Sequence, residues 1–220
     1  MSESPRVLFT DGDLYAVAKP AGWPVHPNDG HDDDLLGWLR RSVPGSEALA
    51  PVHRLDLATS GLVLFAKSAE RRAQLAATFA RGEVLKTYLA VVHGRARSKG
   101  VVQRALKDGR RGRPLRAITR YRRVSLLGSF TLVELNPSTG RKHQLRRHMQ
   151  GIGHPIVGDP RYGPATFRPV PAFPGRLWLH AATLELPEGL RIACPLPPLL
   201  AEHLDILAAG ARSREAATGS

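Results

Sequence analysis

The sequence predicts an α+β fold built around a largely antiparallel mixed β-sheet with flanking helices, and three observations favour this class. Short segments with the alternating or fully apolar pattern of strands recur along the chain, as at residues 85–92 and 130–135. Helical periodicity appears elsewhere, but strands and helices do not alternate regularly as they do in a parallel sheet. No repeat period and no linker rich in Pro or Gly divides the 220 residues. We therefore expect residues 1–210 to form one large domain or two closely joined lobes.

Periodicity and turn residues predict the individual elements. Asp11, Gly12 and Asp13 are typical of a turn between two short strands, and the aspartates at 29 and 32–34 precede a helix that they can cap. Small, polar residues at the C-terminus indicate a disordered tail over residues 211–220. The other expected elements are strands at 7–9, 14–18, 62–66, 85–92, 130–135 and 177–186, and helices at 35–39, 70–79, 143–149 and 198–209.

The composition predicts a polyanionic partner. The chain has 32 Lys and Arg against 19 Asp and Glu, a formal net charge of +13. An anionic membrane is the competing partner, but no stretch approaches the roughly 18 consecutive apolar residues of a membrane helix, and the N-terminus lacks the features of a signal peptide. We therefore expect a soluble, cytoplasmic protein. Cys194 is the only cysteine, so no internal disulfide can form, and its apolar surroundings predict a buried thiol.

The positive charge is concentrated between Arg95 and Arg123. This interval holds twelve basic residues, and Asp108 is its only acid. A solvated face is the usual explanation of a charge run. A segment so one-sided, with a turn from Gly109 to Pro114 at its middle, instead predicts a hairpin that binds phosphates. The residues expected to make these contacts are Arg110, Arg111 and Arg113.

One carboxylate, Asp56, stands where a loop meets a predicted buried strand. It lies two residues after Arg54 and just before a Thr-Ser-Gly turn that leads into the apolar run at 62–66. A strand end holds a side chain more accurately than a free loop does, which suits a catalytic group. The alternative is that Asp56 caps the turn or pairs with Arg54.

The segment His53-Arg54-Leu55-Asp56-Leu57-Ala58-Thr59-Ser60-Gly61 resembles the H-R-L-D-x-x-T-S-G signature of the RluA-type pseudouridine synthases. Further segments resemble this family in the same order, over roughly residues 7–200. They are K-P-x-G-x-x-V-H-P at 19–27, K-x-Y-x-A-x-V-x-G at 86–94, T-G-R-x-H-Q-L-R-x-H at 139–148, G-H-P-I-x-G-D-x-x-Y-G at 153–163 and L-H-A at 179–181. The resemblance implies a pseudouridine synthase fold with a central RNA-binding cleft. It also leaves no room for the small N-terminal RNA-binding domain of many relatives.

The resemblance implies that the chain isomerises uridines in the stem-loops of rRNA or tRNA, as a monomer. Asp56 promotes cleavage of the bond between N1 and C1', and C5 is then joined to C1'; attack on the base, attack on the sugar and assistance in proton removal all remain open. Tyr88 stacks on the uracil, and Arg54 fills the space that the flipped base leaves. No ATP, redox cofactor or metal is required. The remaining RNA-binding residues implied are Leu179, Arg141 and Lys142.

Arg146 is predicted to face Asp56. On a helix it can point inward while Arg147 points elsewhere, and a guanidinium there would lower the pKa of the Asp56 carboxyl. Asp159 is expected to accept hydrogen bonds from backbone amides in its glycine-rich loop, and His180 is expected to be a core histidine. A metal pair of His143 and His148 is disfavoured, because a spacing of five does not place two ligands on one helical face.

Two other classes of function remain open from the sequence. A basic RNA-binding protein without catalysis would keep the Arg95–Arg123 segment, but it would not need Asp56, Tyr88 and Arg146 together. A metal-dependent nuclease would use Asp56, Asp159 and histidines, and it would be sensitive to chelators.

Overall fold

The computed structural model describes residues 3–27, 33–107, 112–166 and 168–218. Within these ranges the chain forms strands and helices in the following order: β1 (Arg6–Thr10), β2 (Leu14–Lys19), α1 (Leu35–Ser42), β3 (Ala50–Pro51), β4 (Ser60–Ala66), α2 (Ala69–Arg81), β5 (Leu85–His93), β6 (Lys99–Gln103), β7 (Leu106–Lys107), β8 (Pro114–Leu115), β9 (Ile118–Leu127), β10 (Phe130–Pro137), α3 (Gln144–Gly151), β11 (Leu179–Glu185), β12 (Arg191–Ala193) and α4 (Pro198–Thr218). The mixture of helices with largely antiparallel strand pairings confirms the predicted α+β class. No helix in these ranges has both the length and the apolar character needed to cross a bilayer.

The chain divides into two compact units. The first comprises Met1–Lys86 and Ala181–Pro195, and the second comprises Thr87–His180 and Leu196–Ser220.

In the first unit β2 pairs antiparallel with both β1 and β4, β3 pairs with β4, and β12 pairs with β11. Apolar side chains of these strands and of α2 form one core that includes Leu14, Leu64, Leu75 and Leu184. Gly61 at the start of β4 has φ +120°, and a Cβ there would lie 2.3 Å from the carbonyl oxygen of Ala181. The strand therefore needs glycine at this position.

Local signals in the first unit formed as predicted. Asp11 Oδ1 accepts hydrogen bonds from the amides of Asp13 (3.0 Å) and Leu14 (2.7 Å), which makes the expected turn. Asp34 caps α1, and its Oδ1 accepts from Gly37 N at 2.9 Å. The aspartates at 29 and 32 lie outside the described residues. Cys194 is buried, and burial raises the pKa of its thiol to about 11, as an inert thiol requires.

In the second unit β10 lies between β5 and β9, β9 also pairs with β6, and each of these pairings is antiparallel. The short strands β7 and β8 form a separate two-stranded ribbon, in which Leu106 pairs with Leu115 and Lys107 with Pro114. The two paired strands at the base of the predicted hairpin in the basic segment are therefore present. Residues 108–111 of the predicted turn, including Arg110 and Arg111, lie outside the described residues.

Two helix boundaries in the second unit differ from the prediction. α3 begins at Gln144, because His143 has a left-handed backbone with φ 54° and precedes the helix. α4 continues to Thr218, beyond the expected helix end at Ala209 and into the segment 211–220 for which a disordered tail is predicted. Ala211 is buried, and Ala, Arg and Glu, which dominate the sequence after it, favour helix more than the small and polar composition suggested. Gly219 and Ser220 lie outside the described residues.

Candidate active site

The loop that carries Asp56 is held by backbone hydrogen bonds on its C-terminal side. The carbonyl of Asp56 accepts from Thr59 N at 3.0 Å, which closes a tight turn before β4. The carbonyl of Leu57 accepts from Gly22 N at 2.8 Å, so the loop is tied to the turn that follows β2. Asp56 is partly buried. Its backbone is therefore placed by two neighbouring segments of the first unit.

A buried ammonium strengthens the same connection. Lys19, at the end of β2, is 1% exposed. Its Nζ donates to the carbonyls of Pro20 (2.8 Å), Trp23 (2.8 Å) and Leu57 (3.1 Å). An ammonium has three N–H donors, and a buried charge is tolerated only when such donors are satisfied. Lys19 therefore clamps the turn after β2 to the residue that follows Asp56.

His53 holds the N-terminal side of the Asp56 loop. Val52 N donates to the carbonyl of Leu64 (2.8 Å), and Leu64 N donates to His53 Nε2 (3.1 Å). The ring stacks on Phe79 at 4.5 Å between centroids. Desolvation, followed by the positive charge of Lys86, lowers the pKa of His53 to about 3, against a weaker opposing effect of a backbone hydrogen bond. The ring is thus neutral, and its Nε2 accepts the hydrogen bond of Leu64 N on β4, where a backbone carbonyl would accept it in a regular strand pair.

In the second unit the Arg146 side chain is fixed by a buried carboxylate. Its Nε and one Nη donate to the two oxygens of Asp159, each at 2.7 Å, and the side chains are 7% and 0% exposed. The guanidinium also lies 5.2 Å from the centroid of the Tyr162 ring. Such a bidentate pair fixes both the position and the plane of the guanidinium.

Asp159 is ionised in this environment. It also accepts from the amides of Arg161 and Tyr162, both at 2.9 Å, which confirms its predicted role as an acceptor in the loop. Burial disfavours the charged carboxylate, but the hydrogen bonds from Arg146 and from the two amides outweigh burial, and the pKa of Asp159 is lowered.

A chain of polar side chains runs along α3. Gln144 accepts from the Thr139 hydroxyl (2.7 Å) through Oε1 and donates to Thr119 Oγ1 (3.0 Å) through Nε2. His148 Nδ1 lies 2.9 Å from Thr119 Oγ1, and its Nε2 lies 3.0 Å from the carbonyl of Arg104. Because a carbonyl only accepts, Nε2 carries the proton. Burial lowers the pKa of His148, so the neutral ring accepts the Thr119 hydroxyl through Nδ1.

The other residues predicted for the site are described by their unit, strand and exposure. Arg54 is exposed in the first unit, with one Nη 3.5 Å from His26 Nε2. Tyr88 is half-buried on β5 opposite Leu135, and Leu179 is buried at the start of β11. The remaining members are the exposed cations Arg113, Arg141 and Lys142 of the second unit. The pairing of Arg146 with Asp56 and the RNA-binding cleft concern both units and stay predictions. His180 is buried, as expected of a core histidine.

Both histidines of the disfavoured metal pair contact other groups of the protein. The ring nitrogens of His148 contact protein oxygens, as described above, and His143 Nδ1 lies 3.2 Å from the Tyr162 hydroxyl. Across the described ranges, no group of three His, Cys, Asp or Glu side chains is placed to bind a metal ion.

Sequence reasoning missed three positioning groups. They are the Lys19 clamp, the acceptor role of His53, and the pairing of Asp159 with Arg146. A lysine at the end of an apolar strand was a signal for the first, because such a side chain cannot reach solvent easily. The other two depend on contacts between segments distant in sequence, which no local pattern encodes.

Comparisons with known proteins agree with these observations. A family model described as RNA pseudouridylate synthase matches residues 13–151. The tRNA pseudouridine synthase C of Pectobacterium carotovorum is 36% identical over 207 residues, which cover 82% of this chain and 55% of the relative. The ribosomal large subunit pseudouridine synthase D of Zymomonas mobilis is 38% identical over 176 residues, which cover 72% of this chain and 56% of the relative. The chain thus spans about half the length of these curated relatives.

A solved structure shows the same fold. The human RNA pseudouridylate synthase domain containing 4 superposes with a TM-score of 0.77 at 29% identity, over 91% of this chain and 92% of that one. This similarity confirms the fold that the motifs implied, and the family match covers both the Asp56 loop and the Tyr88 strand. The chain belongs to the RNA pseudouridylate synthase family.

Proposed function

We propose that this chain is an isomerase that converts uridines within RNA to pseudouridine. The observation that carries the proposal is the doubly anchored Asp56 loop, with His53 on one side and the Lys19 clamp on the other. A loop held this firmly places one carboxylate accurately, which is what covalent or proton-transfer chemistry on a single base requires. The family match supports the same reaction.

The proposed reaction needs no cofactor, because its atoms balance within the nucleotide. The bond between N1 and C1' breaks, a bond between C5 and C1' forms, C5 loses a proton and N1 gains one. Asp56 promotes the bond cleavage, Tyr88 stacks on the uracil, and Arg146 provides the positive charge near Asp56. Arg54 fills the space left by the flipped base, and Leu179 contacts the uracil.

We propose structured RNA as the substrate, in the form of stem-loops of rRNA, tRNA or both. Two relatives are named for tRNA and for the ribosomal large subunit, which supports this class without separating the two. A net charge of +13 also favours a phosphate-rich partner. We propose that the protein works in the cytoplasm as a monomer. The cations proposed to contact phosphates are Arg110, Arg111, Arg113, Arg141 and Lys142.

The test is incubation with bulk cellular RNA, followed by carbodiimide mapping of new pseudouridines. Wild-type protein should create pseudouridine at discrete positions. Asp56→Asn should abolish this signal while RNA affinity and the unfolding midpoint change little, because only a charge is lost at constant volume. The catalytic assignment fails if the variant retains turnover within tenfold of wild type. A parallel reaction with a chelator tests the nuclease alternative, which predicts that RNA cleavage appears and that the chelator stops it.

A further inference from the structure

A closed ring of three backbone hydrogen bonds joins three segments of the second unit. Val91 N donates to the carbonyl of Trp178 (3.3 Å), Trp178 N donates to the carbonyl of Val157 (2.9 Å), and Val157 N donates to the carbonyl of Val91 (2.9 Å). We call these three residues the backbone triangle. Each of them is 0% exposed, so a bond lost from the triangle cannot be replaced by one to bulk water.

Each corner of the backbone triangle lies close in sequence to a residue proposed for the active site. The corner on β5 lies three residues after Tyr88. The second corner lies two residues before Asp159, whose carboxylate holds Arg146. The third corner directly precedes Leu179. The triangle therefore sets the backbone spacing of the segments that carry these groups.

The side chain of His203, on α4, holds the Trp178 corner. The indole Nε1 donates to His203 Nδ1 at 3.1 Å, and His203 Nε2 donates to the carbonyl of Pro171 at 2.9 Å. An indole N–H only donates and a carbonyl only accepts, so Nδ1 is the acceptor and Nε2 carries the proton. The histidine is 2% exposed. One buried ring thus uses both of its nitrogens to hold the two ends of segment 171–178.

The segment between these two hydrogen bonds packs against the loop of Asp159. A Cβ on Gly158 would lie 2.2 Å from the carbonyl oxygen of Arg176 and 2.9 Å from Cε2 of Phe173, and Gly158 has φ +73°. Only glycine permits so close an approach with this backbone. A shift of the segment would therefore displace the backbone next to Asp159, and with it the guanidinium of Arg146.

We propose that His203 is a positioning residue for the isomerisation of uridine and acts through Trp178. The inference rests on the proposed function and gives His203 no contact with the RNA. By fixing the indole, the histidine fixes the backbone triangle, and with it the spacing of the segments that carry Tyr88, Asp159 and Leu179. A misplacement of about 1 Å in an active site can lower the rate about a hundredfold, so a buried bond at this point controls turnover.

Two substitutions at His203 separate its two hydrogen bonds. In His203→Asn the amide oxygen takes the place of Nδ1 and can still accept from the indole, but the shorter side chain does not reach Pro171. In His203→Gln the amide nitrogen reaches the carbonyl of Pro171, and the indole loses its acceptor. Trp178→Phe removes the indole bond from the other side and keeps a buried aromatic ring.

The matched control is Ser46→Ala, in the first unit. Ser46 is 0% exposed, and its Oγ donates to the carbonyl of Leu39 at 3.1 Å. This variant also loses one buried side-chain hydrogen bond, but at a place remote in sequence from every residue proposed for the site. It therefore reports what general destabilisation does to turnover.

Turnover is measured on the stem-loop that carbodiimide mapping identifies, transcribed with tritium at C5 of uridine, because the proposed reaction releases the proton of C5. We expect His203→Gln and Trp178→Phe to lower kcat about tenfold with KM within about twofold of wild type, since no RNA contact is lost. His203→Asn and Ser46→Ala should keep kcat within about threefold of wild type. The double variant of His203→Gln with Trp178→Phe should lose no more than either single variant, because both remove one bond. All rates are taken well below the unfolding midpoints, which circular dichroism gives.

Amide hydrogen exchange follows the backbone triangle without any turnover. Protection of the amides of Val91, Val157 and Trp178 should fall about tenfold or more in His203→Gln, because the indole no longer holds its corner. It should stay at the wild-type level in Ser46→Ala.

Three outcomes would overturn the proposal. Full kcat in a folded His203→Gln variant with a lowered unfolding midpoint would show that the bond serves packing alone. An equal loss of kcat in Ser46→Ala would show that the effect is general destabilisation. A rise in KM as large as the fall in kcat would make this region an RNA contact.

The remaining outcomes are also decisive. If His203→Gln does not fold, Trp178→Phe decides; if neither variant folds, the pair is required for folding and the positioning role is wrong. Wild-type protein that releases no tritium and makes no pseudouridine would overturn the proposed function instead. Amide exchange would then still show whether His203 holds the backbone triangle.

Discussion

Replacing Asp159 by Asn should destabilise the protein, because it removes one charge from a buried ion pair. In the wild type both carboxylate oxygens accept from Arg146 at 2.7 Å, and one also accepts from two backbone amides. An asparagine can keep one oxygen acceptor, but its NH₂ group faces a guanidinium N–H. The variant thus leaves the Arg146 charge buried without a counter-charge from Asp159.

The expected magnitude follows from the burial of the pair. Breaking a buried ion pair from one side costs about 3 to 5 kcal/mol, and the near-identical shape of Asn places the value near about 3 kcal/mol. For a chain of this size each kcal/mol lowers the unfolding midpoint by about 2 to 4 °C, so we expect a decrease of about 6 to 12 °C. Turnover should also fall by about tenfold or more, because Arg146 loses its fixed position.

The pH dependence gives the effect a signature. The pKa of Asp159 is lower in the folded state than in the unfolded chain, so the carboxylate stabilises the fold above the unfolded pKa of about 3.9. This stability is lost as the pH falls through the folded value. The difference in unfolding midpoint between wild type and Asp159→Asn should therefore be full at neutral pH and shrink as the pH falls below about 4.

The assay is thermal unfolding monitored by circular dichroism at neutral and acidic pH. The control is Glu83→Gln, which removes the exposed Arg81–Glu83 pair and should leave the midpoint unchanged. A double variant with Arg146→Met should be no less stable than Asp159→Asn alone, because the two changes remove one interaction. One kcal/mol lowers the unfolding midpoint of a chain of this size by at least about 2 °C. A midpoint for Asp159→Asn less than about 2 °C below that of wild type would therefore refute the reasoning.

Three further predictions concern the positioning groups. Lys19→Met should lower the free energy of unfolding, measured in urea, by about 3 kcal/mol, because three carbonyls lose a charged donor. The control Lys67→Met, at an exposed lysine, should change this free energy little. Equal effects of the two substitutions would contradict the proposed Lys19 clamp. His53→Gln should flatten the pH dependence of the unfolding midpoint below about pH 6.5. The wild-type histidine has a pKa of about 3 in the folded state, so the stability that its neutral ring contributes is lost as the pH falls below the unfolded pKa of about 6.5. An unchanged pH dependence in the variant would show that His53 is accessible to protons in the folded state. Arg146→Met should reduce turnover more than RNA affinity, and a proportional loss of both would make Arg146 an RNA contact.

The sequence predicted those parts of the fold that depend on local patterns. The turn at Asp11 and the cap at Asp34 use side chains that bond to amides two or three residues away, so they are readable directly. The end of α4 could not be predicted from the sequence, because the polar and small residues after Ala211 are compatible with either a tail or a helix. The burial of Ala211, which favours helix, is a tertiary fact.

The candidate site shows the same distinction between features that local patterns encode and features that depend on tertiary contacts. The motifs led us to propose Asp56, Tyr88 and Arg146, because these residues stand in dense, specific patterns. They did not identify Asp159 as the partner of Arg146, because the pair joins α3 to a loop 13 residues away that folds back onto the helix. The predicted phosphate contacts of Arg110 and Arg111 lie outside the described residues and stay predictions.

The two groups proposed as most directly catalytic are held by buried charges that are not themselves proposed to touch the uridine. Lys19 places the backbone next to Asp56, and Asp159 places the guanidinium of Arg146. Hydrogen bonds to ionised groups are about twice as strong as neutral ones, so each anchor restricts motion more than an amide or hydroxyl would. The same charges must keep their partners, because a buried ion without them is strongly destabilising. Substitutions at Lys19 and Asp159 should therefore lower stability and turnover together, whereas Asp56→Asn should lower turnover alone.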